Sequence, residues 1–284
     1  MPATACPRAF VIGHPIAHSR SPLLHGHWLR SLGLPGSYEA VDVAPMALAA
    51  FFAGLRQAGF AGGNITVPHK QAAMAHVAGI DAAGRSIGAI NTVWLEQDAW
   101  IGGNTDAHGF IANLADRAPG WAASTRAAVL LGAGGAARAA VHALLQTGIR
   151  VHVVNRTLAH ADRIAADFGP LVCAHGWQEL GGLLPDADLL VNTTALGMAG
   201  QPPLLLDLSG LKRSAIVCDI VYVPLQTALL AAAQARGHRV VDGLGMLLHQ
   251  AVPGFERWFG TRPVVSAQLR ALLEADIAGR VPAA

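Results

Sequence analysis

The segment Val129-Leu130-Leu131-Gly132-Ala133-Gly134-Gly135-Ala136-Ala137 constrains the chain more than any other. A short apolar run ends in glycines spaced G-x-G-x-x-A, and an alanine-rich stretch follows. In such a pattern the first glycine permits a tight strand-to-helix turn. The second lets backbone approach a pyrophosphate, and a small third residue lets the helix sit close on its strand. The helix N-terminus then attracts the anion. With a strand before it and a helix after it, the segment reads as a dinucleotide-binding turn. Gly132, Gly134 and Ala137 take the three positions of the motif.

The flanking sequence supports a doubly wound α/β domain. Ala128–Leu131, Arg150–Val154, Leu171–Ala174, Asp188–Asn192, Ala215–Asp219 and Arg239–Val241 read as strands, with helical segments between most of them. Fully apolar strands alternating with helices imply a parallel sheet covered on both faces. An NAD site usually carries a carboxylate about 20 residues beyond the glycines, on the ribose 2′-hydroxyl. Here the next strand ends in Asn155-Arg156-Thr157. A guanidinium and a hydroxyl suit a 2′-phosphate, so NADP is the expected cofactor.

Before residue 107 the pattern is more mixed. Arg8–Gly13, Tyr38–Val43 and Gly63–Val67 read as strands, and Pro22–Leu32 and Met46–Ala58 as helices. Ser21 is the expected N-cap of the first helix. Ala89–Leu95 and Ala99–Gly102 read as a hairpin around Glu96-Gln97-Asp98. From about Gly245 onward the chain reads as mostly helical and is expected to pack back on the first domain.

Composition excludes several classes. Hydrophobic residues make up 52% and charged residues only 13%, the opposite of a disordered chain. The net charge of +2 leaves no footprint for nucleic acid. Mean hydropathy is +0.39, yet no apolar run reaches the roughly 18 residues of a spanning helix. No signal-peptide pattern is read at the N-terminus. Three scattered cysteines suggest a reducing, cytoplasmic setting. Thirteen histidines come without HExxH or paired CxxC, so no metal is expected. Neither G-x-S-x-G nor a P-loop occurs.

Four polar clusters sit at strand ends, where ligands gather in α/β sheets. They are Gly13–Pro22 with Ser19 and Ser21, Asn64–Lys70 with Thr66, Gly88–Thr92 with Asn91, and Gly103–Asp106 with Asn104. The second holds one of only two lysines, Lys70 and Lys212, in a chain whose other 18 basic residues are arginine. The two tyrosines are Tyr38 and Tyr222.

In this order, followed by the glycine turn, the clusters resemble the shikimate dehydrogenase family. Asn192-Thr193-Thr194 with Gly197-Met198, Asp219-Ile220-Val221-Tyr222-Val223-Pro224, and Gly243-Leu244-Gly245-Met246-Leu247 with Gln250 carry the resemblance from about residue 10 to 260. It implies an N-terminal α/β substrate domain, 1–106 completed by the helical 243–284, and a Rossmann-type NADP domain, 107–242. It also implies interconversion of 3-dehydroshikimate and shikimate, a step toward chorismate and aromatic amino acids.

By the same resemblance Lys70 and Asp106 flank the reacting oxygen. An ammonium there can polarise a carbonyl and donate its proton as alkoxide develops. Asp106 can hold that ammonium and accept from a neighbouring substrate hydroxyl. Burial lowers the pKa of Lys70 and Asp106 raises it, and the sequence leaves the winner open. Ser19, Ser21 and Tyr222 are implied at the substrate carboxylate, and Thr66, Asn91, Asn104 and Gln250 at the ring hydroxyls. Gly132, Gly134, Gly135 and Ala136, with Asn155, Arg156 and Thr157, are implied at the dinucleotide, Thr193 and Met198 along it, and Gly243 and Met246 near the nicotinamide.

The pattern departs from the family at Gly26, where an Asn commonly follows the His, which alters the site wall. Two other readings stay open. One is a quinate/shikimate dehydrogenase with NAD use, against which Ser21 and Arg156-Thr157 argue. The other is a silent NADP-binding regulator, against which Lys70 and Asp106 argue. Oligomeric state is open too, a homodimer among the options.

Overall fold

A computed structural model describes residues 6–280. Within the spans Met1–Thr105 plus Gln250–Leu273, and Asp106–His249 plus Glu274–Ala284, those residues form two compact units. This partition differs from the expected one at Asp106 and at the segments 243–249 and 274–284. Part of the reason is local. A side chain at Gly245 would collide with Asn113 Oδ1, and Asn113 Nδ2 donates to the Asp242 carbonyl at 2.7 Å. The start of the helix Leu244–Phe259 therefore lies flush against the helix Asp106–Arg117.

The first unit contains a six-stranded mixed sheet. Its strands are β1 (Arg8–Gly13), β2 (Ser37–Asp42), β3 (Phe60–Ile65), β4 (Gly79–Ile80), β5 (Thr92–Glu96) and β6 (Ala99–Gly103), in the order β2-β1-β3-β5-β6-β4. β1 pairs in parallel with β2 and β3, β5 runs antiparallel to β3 and β6, and β4 is parallel to β6. The expected hairpin is present as β5–β6, turning through Gln97 and Asp98 with φ of 45° and 66°. That left-handed pair is the twist two antiparallel strands need, and Asp tolerates it.

One apolar cluster places Phe10, Ile12, Ile65 and Val93 of the strands against Leu48, Phe52 and Leu55. The expected helix Met46–Ala58 is shorter: a 3₁₀ turn at Pro45–Ala47 runs into Leu48–Gly54. Gly54 is a poor helix interior residue, and the chain turns out through Gly59 at φ +71°. On the other side Trp258 donates its indole N–H to the Val93 carbonyl at 3.0 Å, where Gly62 leaves room for the ring.

The second unit contains a wholly parallel sheet. Its strands are β7 (Ala127–Leu131), β8 (Arg150–Asn155), β9 (Val172–Gly176), β10 (Leu189–Asn192), β11 (Ile216–Asp219) and β12 (Arg239–Val241), in the order β12-β11-β10-β7-β8-β9. Every pairing is parallel. Counted from β7, this is the 3-2-1-4-5-6 order of a doubly wound dinucleotide fold, with the switch point between β7 and β10. The residues of β10 and β11 are all buried, as a sheet covered on both faces requires. No helix among the described residues is long and apolar enough to cross a membrane.

Candidate active site

Strand direction alone gathers the polar clusters of the first unit. β1, β3 and β6 run one way and β5 the other, so the ends of the first three share an edge with the start of β5. Ser19 and Ser21 follow β1, Thr66 and Lys70 follow β3, Asn91 precedes β5, and Asn104 follows β6. Backbone bonds lace this edge. Thr66 N–H donates to the Ile12 carbonyl at 2.9 Å and His14 N–H to the Val67 carbonyl at 3.1 Å. The buried His69 ring meets the Val43 carbonyl at 2.7 Å, and the Lys70 carbonyl accepts from Ile90 N–H at 2.8 Å. The main chain of Lys70 is thus held between two strand ends while its side chain is half-buried.

The helix after β1 begins differently from expectation. It spans Ser21–Ser31, and Arg20, in a right-handed conformation, holds the cap position without a side-chain cap. Ser21 is the first helical residue, and its N–H donates to Ser19 Oγ at 3.3 Å. Proline at the second position favours this start, because the N–H it lacks has no partner inside a helix anyway. Both serines therefore stand at a helix N-terminus, a favourable place for a carboxylate. A side chain at Gly26 would start against the Arg30 guanidinium of the same helix, at 3.2 Å. Its neighbour His25 is fully buried and stacked on Tyr38 at 4.0 Å; burial pushes its pKa down to about 3, so the ring is neutral.

Asn91 is the hub of this edge. Its Oδ1 accepts from Thr105 N–H at 2.8 Å and Thr92 Oγ1 at 2.9 Å. Its Nδ2 reaches Thr105 Oγ1 at 3.0 Å and Gln250 Oε1 at 3.3 Å. Asn104 donates to the Ala89 carbonyl at 3.0 Å. Thr66, Lys70, Asn91, Asn104, Ser19, Ser21 and Gln250 all belong to the first unit, whereas Asp106 and Tyr222 belong to the second. Asp106 opens the helix Asp106–Arg117, where the macrodipole favours a carboxylate. Tyr222 follows β11 and is half-buried.

The second unit holds its candidate residues at the carboxyl ends of its strands. Gly132 follows β7 directly at φ +105°, and its N–H donates to the Val154 carbonyl at 2.8 Å. Thr193, just past β10, donates its hydroxyl to the Leu131 carbonyl at 2.7 Å and so fixes the turn from the other side. Gly134 caps the helix Gly135–Leu145 with no side chain to occupy the first-turn N–H groups. A Cβ at Gly134 or Gly135 would meet nothing within 4 Å, while Ala137 is fully buried on the sheet. At the end of β8, Asn155 Nδ2 donates to the Thr157 carbonyl at 2.8 Å, and Arg156 and Thr157 are exposed. Thr157 stands at the cap of Leu158–Phe168 without a side-chain cap bond. Met198 is exposed in a turn after β10, and Met246 is half-buried on Leu244–Phe259. Gly243 packs so close that a Cβ would collide with the Ile220 carbonyl.

These residues fit a dinucleotide phosphate. An open, uncapped helix N-terminus supplies backbone donors, and an exposed guanidinium stands at the neighbouring strand end. Some supporting residues carried no role in the sequence reading. Asp219 ends β11 fully buried and accepts from Asn192 Nδ2 at 2.9 Å, Val221 N–H at 3.0 Å and Thr227 Oγ1 at 2.7 Å. Burial pushes its carboxyl above the usual range, against those three bonds. Asn64 and Thr105 brace Asn91 from below. The signal for Asp219 and Asn64 was a polar residue at or near the end of a buried strand, and Thr105 lies in the turn just beyond β6. Among the described residues no group of three or more His, Cys, Asp or Glu side chains is arranged to hold a metal ion.

Comparisons with known proteins identify the family of the chain. Residues 11–93 match the shikimate dehydrogenase substrate binding domain, 113–199 the shikimate / quinate 5-dehydrogenase model, and 243–273 the shikimate 5′-dehydrogenase C-terminal domain. A curated relative from Mesorhizobium japonicum, named shikimate dehydrogenase (NADP(+)), is 59% identical over 274 residues, covering 96% of this chain and 98% of its own. The solved shikimate 5-dehydrogenase from Thermus thermophilus, in complex with NADP(H) and shikimate, superposes with a TM-score of 0.83 at 37% identity, covering 97% of this chain and 100% of that one. Quinate dehydrogenase from Corynebacterium glutamicum, in complex with NAD, superposes at 0.87 with 29% identity, covering 95% and 99%.

Proposed function

The chain belongs to the shikimate dehydrogenase family, and from that premise we propose how its own residues divide the work. It is an NADP-dependent oxidoreductase that interconverts 3-dehydroshikimate and shikimate, within the pathway to aromatic amino acids. NADP, when bound, supplies or accepts the hydride. Gly132, Gly134, Gly135 and Ala136 would hold its pyrophosphate, and Asn155, Arg156 and Thr157 its 2′-phosphate. Thr193 and Met198 would contact it between these ends, and Gly243 and Met246 would stand near its nicotinamide.

In the reduction Lys70 donates the proton that the substrate oxygen needs as its carbonyl becomes a hydroxyl. In the oxidation it takes that proton back. A flexible ammonium with several protons suits this task better than a permanently charged guanidinium. Asp106 accepts a hydrogen bond from a neighbouring substrate hydroxyl and keeps the ring oriented. Ser19 and Ser21 at their helix N-terminus, with Tyr222, bind the carboxylate. Thr66, Asn91, Asn104 and Gln250 read the ring hydroxyls. The single observation that supports this reading is strand direction in the first sheet, which brings the segments that carry Lys70, Thr66, Asn91 and Asn104 to one edge.

In this proposal residues 1–106 and 243–284 form the substrate domain and 107–242 the NADP domain. The enzyme works in the cytoplasm, without a nucleic-acid partner. The test is a steady-state assay of shikimate and quinate, each with NADP⁺ and NAD⁺. Highest kcat/KM for shikimate with NADP⁺ is expected; faster turnover of quinate with NAD⁺ would overturn the assignment.

A further inference from the structure

Gln250 stands on the helix Leu244–Phe259 and belongs to the first unit, as do Asn91 and Thr105. Its amide has an accepting end and a donating end, and the two demand opposite partners. Gln250 Oε1 lies 3.3 Å from Asn91 Nδ2 and 3.4 Å from Thr105 Oγ1. What Asn91 has to offer there decides whether that end of Gln250 must be the carbonyl.

The Thr105 backbone N–H can only donate, and it meets Asn91 Oδ1 at 2.8 Å. That contact makes Oδ1 the accepting end of Asn91 and Nδ2 its donating end. An N–H needs an acceptor opposite it, so Gln250 turns its carbonyl oxygen to Asn91. A reversed Gln250 would set two NH2 groups against each other. The hydroxyls fit the same assignment. Thr92 donates to Asn91 Oδ1 at 2.9 Å, which fills that oxygen beside the Thr105 N–H. Thr105 Oγ1 accepts from Asn91 Nδ2 at 3.0 Å and has Gln250 Oε1 within reach of its own proton. Gln250 Oε1 thus faces two donors of its own chain.

We propose that Gln250 meets the substrate ring as an N–H donor, through Nε2, because its carbonyl end is committed to Asn91 and Thr105. At this point the site then selects a ligand oxygen that can accept, a hydroxyl or a carbonyl. It rejects a group that can only donate, such as an ammonium. This rests on the reading above that Gln250 touches the ring. Asn91 and Thr105 gain a positioning part, since they set which end of Gln250 the ring meets.

The test is Gln250→Glu beside Gln250→Met, each read as kcat/KM for shikimate with NADP⁺. A carboxylate keeps the shape and can accept both bonds that Oε1 accepts, but it has no N–H for the ring. At about pH 8 Gln250→Glu should lose about 10- to 100-fold, at least as much as Gln250→Met. Were the ring met by Oε1 instead, the carboxylate would accept from a hydroxyl at least as well as the amide does, and Gln250→Glu would stay within about threefold of wild type. A protonated carboxyl again carries a donor. Toward about pH 5, nearing the ordinary carboxyl range, Gln250→Glu relative to wild type should therefore climb past Gln250→Met, which relief of charge alone would only approach. Damage to folding gives no such recovery. A Gln250→Glu enzyme near wild type at about pH 8, or one that never passes Gln250→Met in acid, would overturn the proposal. The controls separate the levels. A wild type inactive on shikimate with NADP⁺ sinks the assigned activity. An indifferent Gln250→Met in an active background removes Gln250 from the ring, and this inference with it. An impaired Gln250→Met beside an intact Gln250→Glu sinks the inferred polarity alone.

Discussion

Two glycines in one turn should fail in opposite ways. Gly132 sits at φ +105°, and a Cβ there would lie 2.9 Å from both Thr193 Oγ1 and Thr194 Cγ2. Thr193 cannot move aside cheaply, because its hydroxyl is bonded to the Leu131 carbonyl at 2.7 Å. The strained backbone costs about 1–3 kcal/mol. The forced contact adds about 1–3 kcal/mol. Gly132→Ala should then lower the melting temperature by roughly 5–15 °C for a protein of this size. Gly134 differs on each count. Its backbone is extended, with φ −92° and ψ −170°, and a Cβ would meet nothing within 4 Å. Losing glycine at an N-cap costs under about 1 kcal/mol. The stiffer unfolded chain returns about 0.4–1 kcal/mol. Gly134→Ala should therefore melt within about 2 °C of wild type. Its methyl, however, would occupy the space over the uncapped helix N-terminus. If a pyrophosphate belongs there, one charge-assisted bond is lost, about 1.5–3 kcal/mol, and the KM for NADP⁺ rises about 10- to 150-fold. Thermal denaturation without cofactor and steady-state kinetics at saturating shikimate read the two effects separately. A Gly134→Ala protein with wild-type KM for NADP⁺ would refute the claim that this space is kept for the cofactor.

Three further substitutions probe the assigned roles. Lys70→Ala should reduce kcat by about 10²–10⁴ with little change in KM for shikimate, the range expected for loss of a positioned proton donor; near-normal kcat would remove Lys70 from the chemistry. Arg156→Ala should raise the KM for NADP⁺ by roughly tenfold, an exposed charge-assisted contact, and leave that for NAD⁺ unchanged; an unaltered NADP⁺/NAD⁺ ratio would exclude Arg156 from cofactor choice. Asp219 is a carboxyl whose folded pKa is raised by burial, so the folded state keeps its proton where the unfolded state has already lost it. Its contribution to stability falls as pH rises through the unfolded value near ~3.9 and on through the raised one. Asp219→Asn should flatten stability across that acid range, measured by urea unfolding, and leave neutral stability close to wild type, whereas Asp219→Ala should lose about 3 kcal/mol or more with its three hydrogen bonds. Equal losses in the two variants would show that the charge itself is required.

The elements that the sequence revealed share one property: their signal is local. β12 falls on Arg239–Val241 as read, and β1 on Arg8–Gly13, because each is an apolar run bounded by turn residues. The first helix begins one residue early because proline at its second position and the Ser19 hydroxyl, not a Ser21 cap, decide its start. β4, Gly79–Ile80, is two residues long, and no periodicity can be read in two residues. The strand order is further from sequence still. Nothing in the strand at β10 says that it pairs with β7 on the side opposite β8; that follows from the crossover path, and it creates the switch point where the glycine turn opens.

The site divides along the same line. Residue types at strand ends were readable, since a lysine, a pair of serines and several amides stand out in a chain with 13% charged residues. The direction of each amide was not, because the two ends of an asparagine differ only through partners distant in sequence. Asn64 and Asn91 are 27 residues apart, and Gln250 is 159 residues from Asn91. Such a network also explains how so little charge can serve a polar substrate. A buried ion costs several kcal/mol to desolvate, even when paired. An amide whose orientation is forced by a backbone carbonyl, as at Asn64, or by a backbone N–H, as at Asn91, delivers direction without net charge. Each fixed donor then rejects a mismatched group by leaving it unpaired, which is a larger penalty than the modest net gain of the correct bond. Telling apart the hydroxyls of one ring needs that asymmetry, and neutral amides supply it where further charges would not.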